Sequence, residues 1–160
     1  MSRSVATARR EHDVSTTRTA AVVASGLLGV AAVHQVALAS GAPWGDAAYG
    51  GRAPTTAGVL EPPYRWVSAV GAVNLSASAW VVAMRGGVVR RRLLGARAVR
   101  TWTWVITAAL AGNTVANLAA RHPAERWGLG TLTATASVLC SVVATSPSAV
   151  QPDGAGPQQN

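Results

Sequence analysis

The chain has no phenylalanine and no lysine, a single cysteine, and few charges of any kind: 12% of its 160 residues, against about 25% in an average soluble domain. Cys140 alone cannot form an intrachain disulfide, and zinc sites built on paired cysteines are excluded with it. Phosphate-binding Gly-rich loops, nucleophile elbows, His-Glu-x-x-His zinc helices and Cys-x-x-Cys-His haem attachment are all missing. So little charge cannot cover an ordinary water-facing surface. What charge there is leans one way, 14 Arg against 6 acidic residues for a net +8. A nucleic-acid binder lines such charge along one face, whereas a membrane protein keeps it at the ends of its apolar segments.

Here the arginines sit between long uncharged runs. No Asp, Glu, Lys or Arg occurs in 19–45, 66–84, 101–120 or 127–152. A helix rising about 1.5 Å per residue needs about 20 apolar residues to cross a hydrocarbon core of about 30 Å. All four runs are long enough, which predicts spans near 19–40, 65–84, 102–120 and 128–146. The last is the most polar, with Thr131, Thr133, Thr135, Ser137, Ser141 and Thr145. The expected fold class is all-α, an integral membrane four-helix bundle running up-down-up-down. Residues 1–18 are expected as an N-terminal tail, 19–146 as the transmembrane domain and 147–160 as a disordered C-terminal tail. Nothing in this pattern calls for nucleic acid.

Arg3, Arg9, Arg10, Arg18, Arg85, Arg90, Arg91, Arg92, Arg97 and Arg100 fall on one side of such a bundle; Arg52, Arg65, Arg121 and Arg126 fall on the other. Because cytoplasmic loops are rich in Arg and Lys, both termini and the middle loop are expected inside a cell membrane. Trp44, Tyr49, Tyr64, Trp66 and Trp127 then flank the outer face and Trp80, Trp102 and Trp104 the inner, as interfacial aromatic belts do. The middle segment mixes Val and Leu with six Arg, as in a short interfacial helix. Arg85, Arg90, Arg91, Arg92, Arg97 and Arg100 are expected to contact anionic lipid, worth about 1 kcal/mol each. Ala37-Leu38-Ala39 before Ser40 imitates a signal-peptide cleavage site, but the apolar run ahead of it is too long for one and carries His34 and Gln35.

Helices in lipid associate through small residues and interhelical hydrogen bonds. Ala108, Gly112, Ala116 and Ala120 recur every four residues on the third span; Ala21, Ser25 and Gly29, and Ser68, Ala72 and Ser76, do so on the first two. These are the expected seams. The polar residues His34, Gln35, Asn74, Asn113 and Asn117 must also find partners, so they should point inward. They serve either as packing glue or as a polar pocket in the outer half. His34 and His122 are the only histidines near the spans, and their expected depths differ by about 9 Å, which argues against two axial haem ligands. No cofactor and no metal is expected.

The 24 residues from Gly41 to Tyr64 are rich in Gly and Pro, which excludes a continuous helix and predicts turns packed on the bundle mouth. Asp46, Arg52, Glu61 and Arg65 could there form ion pairs or grip a small polar ligand. Gly41-x-Pro43-Trp44-Gly45, Gly50-Gly51, Val59-Leu60, Pro63 and Arg65-x-x-Ser68, following His34-x-x-x-Leu38, resemble uncharacterised small four-span membrane proteins of Gram-positive, actinobacterial type. The resemblance implies the four-span topology and no assigned activity. The expected function is that of a multi-pass inner-membrane protein, a non-enzymatic accessory or structural component of a membrane complex, with other membrane subunits or a second copy as partners. The alternative is a small transporter or ligand-binding membrane protein whose outer-half pocket the first loop caps.

Overall fold

The computed structural model describes residues 2–89 and 94–146, four helices with one elaborated connection. Helix α1 is Ser2–Ala39, α2 Pro62–Arg85, α3 Ala96–Leu118 and α4 Gly130–Thr145. Between α1 and α2 lie two 3-10 turns, Gly45–Ala47 and Tyr49–Gly51, and a two-residue hairpin, β1 (Thr55–Thr56) with β2 (Val59–Leu60). A π-helical turn, Ala124–Leu129, leads into α4. The expected C-terminal tail at 147–160 and Arg90, Arg91 and Arg92 lie outside the described residues.

Local chemistry explains most of the boundaries. Pro62 and Pro63 open α2, where a missing N–H costs nothing, and Gly86-Gly87 closes it, Gly87 at φ 68°. Helix α1 departs from the expected tail by starting at Ser2 rather than near 19. Ahead of the uncharged run, Thr16, Thr17 and Thr19 return their hydroxyls to the carbonyls of His12, Asp13 and Ser15, which satisfies those hydroxyls within the helix. Helix α3 starts at Ala96, not 102, so Arg97 and Arg100 belong to its first turns rather than to an interfacial segment.

Three helical stretches, Glu11–Ala39, Pro62–Arg85 and Ala124–Thr145, are long and apolar enough to cross a membrane. Helix α3 has 23 residues but carries two Asn and two Trp. The outward faces are the apolar ones: Val33 and Val73 are each 70% exposed, Val115 68% and Val138 63%. In α4, Thr131, Thr133, Thr135 and Thr145 all bond back to carbonyls of their own helix, which removes most of the polarity of that segment.

Helix α1 packs against both α2 and α4, α3 packs mainly on α4, and the α2–α3 seam closing the ring is the loosest of the four. The core joins Ala20, Ala21, Ala24 and Leu28 of α1 to Val82, Ile106, Leu110, Ala136, Cys140 and Val143. Of the small residues expected in the α1–α2 seam, Ala21, Ser68 and Ala72 are buried and Ser25 Oγ donates to the Ala79 carbonyl at 3.1 Å, whereas Ser76 is exposed and Gly29 faces open space. The expected seam on α3 is a correction. Ala108 and Gly112 face outward, and the packed face is Val99, Thr103, Ile106, Thr107, Leu110 and Asn117.

Side-chain bonds tie the two ends. At one end, Thr17 Oγ1 donates to Ser146 Oγ at 2.8 Å, and Arg85 donates to the carbonyl of Ser146 at 2.6 Å. At the other, the first loop meets the turn between α3 and α4 through Gly50 and Glu125. The chain therefore reverses at every connection. Arg85 is also a correction: it is 6% exposed and holds the C-terminal carbonyls of α4, so it does not face lipid. Arg97 and Arg100 are the exposed basic residues of the described middle connection.

Candidate binding chamber

The first loop folds through glycine. Ala57 and Gly58 both take positive φ, 50° and 77°, the combination that turns a two-residue hairpin. Their hairpin pairs Thr55 with Leu60 and Thr56 with Val59. Gly45 donates its N–H to the Gly58 carbonyl at 2.7 Å, and a Cβ at Gly45 would lie 2.8 Å from that oxygen, so only glycine fits beneath the hairpin. Leu60 and Ala48 then bury against Leu38 at the end of α1, with Tyr49 and Tyr64 beside them. Tyr49 sits at φ 54°, unusual for a bulky side chain. That conformation aims its hydroxyl at Ser68 Oγ, 2.7 Å away, and sets its ring edge-on to Tyr64 with centroids 5.5 Å apart.

The folded loop roofs a cavity of about 340 Å³ among the four helices. Its floor is apolar, with Leu28, Leu75 and Leu110; higher up stand His34, Gln35, Asn113, Asn117, Arg52 and Glu125. One contact fastens the roof to the turn between α3 and α4. The Gly50 N–H donates to both carboxylate oxygens of Glu125, at 2.9 and 2.8 Å, and Glu125 is buried. The π-helical turn supplies that carboxylate, since its wider winding carries the side chain inward at the head of α4. Asn117 Nδ2 reaches Thr133 Oγ1 at 3.4 Å, and Thr114 donates to the same hydroxyl at 3.0 Å. The buried Oε1 of Gln35 has no hydrogen-bond partner. His34 stacks on Trp44, rings 11° from parallel with centroids 6.1 Å apart.

The structure thus brings His34, Gln35, Asn113 and Asn117 around one space and leaves Asn74 out of it. Asn74 faces outward into a separate groove between α2 and α3. Of the four loop residues, Arg52 alone lines the chamber. Asp46 accepts from the Thr55 hydroxyl, and Arg65 Nε donates to the Ala39 carbonyl at 2.9 Å, stitching the end of α1 to α2. Glu61 precedes α2 with its side chain exposed. These roles replace the expected ion pairs or ligand grip for Asp46, Glu61 and Arg65: they shape the loop.

His34 and His122 both line an outer groove with Trp44 and Asp46. Among the described residues, no three His, Cys, Asp or Glu converge in a way that could hold a metal ion.

Two residues of the chamber escape the sequence reading, Glu125 and Tyr49. A signal for Glu125 was present: it is the only acidic residue between 62 and 152, set between Arg121 and Arg126 in a short connection. Chemically the chamber offers an imidazole, three amides and a guanidinium to a small polar group, over a floor of leucines. Comparison with protein-family models, curated proteins and solved structures finds no match to this chain.

Proposed function

We propose that this chain is a multi-pass protein of the cell membrane with four spans and both termini cytoplasmic, and that it binds a small ligand in the chamber beneath its first outer loop. Membrane insertion is supported by the outward-facing valines of all four helices, since so much contiguous apolar surface is not tolerated in water. Helix α3 serves as the fourth span, with Asn117 buried against Thr133 and Asn113, though exposed, standing where the chamber and the α2–α3 groove meet. Orientation follows from the ten arginines of the tail and middle loop against four in the outer connections. Arg97 and Arg100, exposed at the start of α3, meet anionic headgroups there.

The observation that carries the ligand reading is the Gly50–Glu125 clasp over a chamber of about 340 Å³ whose apolar lining is broken by a few polar side chains. A bundle held by packing alone has no need of a roofed cavity with polar groups in its walls, and sites for small ligands are concave, largely apolar and marked by a few convergent polar groups. The test is the double change Asn113→Leu plus Asn117→Leu. The ligand reading expects a folded protein of equal or greater stability in detergent that no longer complements a deletion strain. Loss of assembly would make the two amides packing glue and remove the main support for the chamber.

A second reading, an accessory component of a membrane complex, is favoured by the outward small face of α3. At Gly112 a Cβ would meet nothing within 4 Å, which leaves room for a helix of another subunit or a second copy. Purification of the tagged protein in mild detergent should then yield a stoichiometric companion that Gly112→Leu releases.

A further inference from the structure

We propose that the chamber takes the head of an uncharged, hydroxyl-bearing amphiphile whose chain leaves the bundle sideways between α2 and α3. The inference rests on the ligand reading above and names the class of ligand. Along the loosest seam of the ring runs a mostly apolar groove of about 560 Å³, walled by Ala77 and Val81 of α2 and by Trp102, Val105 and Ala109 of α3, with Asn74 and Ser78 on its α2 side. Leu28, Leu75, Leu110 and Asn113 line both this groove and the chamber, so the two spaces share a wall of residues at mid-bundle. From that junction the groove descends away from the loop, past Val81 toward Trp102 and Leu94. The combined site is polar at the loop end and apolar at the other, with its apolar part open to the flank of the bundle. With the loop facing outward, the head sits in the outer half and the chain runs down the groove from mid-bundle toward the inner interface, where Trp102 stands.

Two features select the head. Arg52 and Glu125 are opposite in sign, and the Glu125 carboxylate already takes the Gly50 N–H, so the chamber presents no net charge to a ligand. Gln35 lines the chamber, and its buried carbonyl oxygen, packed beside Gly71 of α2, lacks a donor until the amide turns. A hydroxyl on the ligand, met by a small turn of the amide, supplies that donor, whereas an acceptor-only head such as a carbonyl does not. Asn113 and Asn117 offer further amide contacts to the same head. Alkyl and acyl glycerols and long-chain alcohols fit this description.

The experiment uses the full chain in phosphatidylcholine nanodiscs and a 1-O-alkylglycerol probe bearing a diazirine at mid-chain and a terminal alkyne. After irradiation, labelled peptides are mapped by mass spectrometry. Expected is labelling concentrated on 74–81 and 102–109, displaced by monoolein and not by lysophosphatidic acid. Ala109→Trp, which fills the groove from one wall, should lower labelling of these segments roughly tenfold; if that variant does not fold, Ala77→Trp from the opposite wall gives the same readout. Gln35→Leu should weaken displacement by monoolein. Labelling spread evenly over all outward faces and unmoved by either Trp is ordinary boundary lipid and overturns the proposal. Equal displacement by lysophosphatidic acid overturns the uncharged head. The chamber reading stands or falls separately, on the Asn113 and Asn117 double change: a folded but inactive double variant with diffuse labelling removes the amphiphile alone.

Discussion

The Glu125 carboxylate is the side chain that joins the roof to the turn between α3 and α4. Glu125→Leu deletes the acceptor and leaves the Gly50 N–H beneath a loop with nothing to receive it, a loss of about 1.5–3 kcal/mol for a bond to a charged group. Amide exchange at Gly50 should then quicken roughly tenfold while the core residues of α1 and α4 keep their protection. Glu125→Gln retains an acceptor oxygen and should sit between the two. Unchanged exchange at Gly50 in the Leu variant would mean the clasp does not hold the loop. Ala57 makes a prediction of the opposite sign. It occupies the first central position of a turn whose two central residues both need positive φ, at 50°, with Gly58 following. Asn-Gly is the favoured pair for such turns. Ala57→Asn should therefore raise stability by about 0.5–1 kcal/mol, read as a higher unfolding midpoint in detergent, and a lower midpoint would contradict the turn assignment.

At the scale of elements, the close approach of α1 to α2 turns on Gly86, the residue that ends α2. A Cβ there would run into the Cβ of Ala21 on α1, so Gly86→Ala must push the two helices apart at their tightest point. Overpacking of this kind costs about 1–3 kcal/mol, and the same change at Gly112, which faces open space, should be near neutral. A comparison of the two alanine variants by detergent unfolding checks the seam directly. The existence of the helices was legible in the uncharged runs, because an uncharged run of that length has few other uses. Their starts were not. Segments rich in Arg read as tail or loop, yet Ala and Arg are strong helix formers, and with them α1 reaches back to Ser2 and α3 to Ala96. The seam on α3 was misread for a geometric reason. Residues four apart advance about 400° around a helix, so the line from Ala108 to Ala120 drifts by about 120°, outward at Ala108 and Gly112 and inward only at Ala120. Small residues at that spacing mark a smooth stripe without saying which neighbour it meets. The chamber was half legible. His34, Gln35, Asn113 and Asn117 stand out as polar groups in apolar runs; Tyr49 and Glu125 reach the site through a left-handed turn and a π-helical turn, which no spacing rule reveals.

For the molecule as a whole, the contacts at the two ends constrain how it can lie in a bilayer. Thr17, Arg85 and Ser146 meet at one end, while Gly50 and Glu125 meet at the other. If α1 crosses the membrane, Gly50 is on the far side from Thr17, and Glu125 must be on that side too. Helix α3, running from Ala96 to Leu118 just before Glu125, then has to traverse the same thickness, although its asparagines leave it the least apolar of the four. An arrangement of three spans, with α3 lying on the surface, would put Glu125 with Arg85 and break the clasp at Gly50. Reporter fusions separate the two. A cytoplasm-active reporter should work after Arg100 and after Asn160, and an export-dependent one after Arg121. Export-dependent activity after Asn160 would reverse the fourth span. Cytoplasmic activity after Arg121 would take α3 out of the membrane, and with it the chamber, since the carboxylate that fastens its roof reaches the loop only when α3 has crossed.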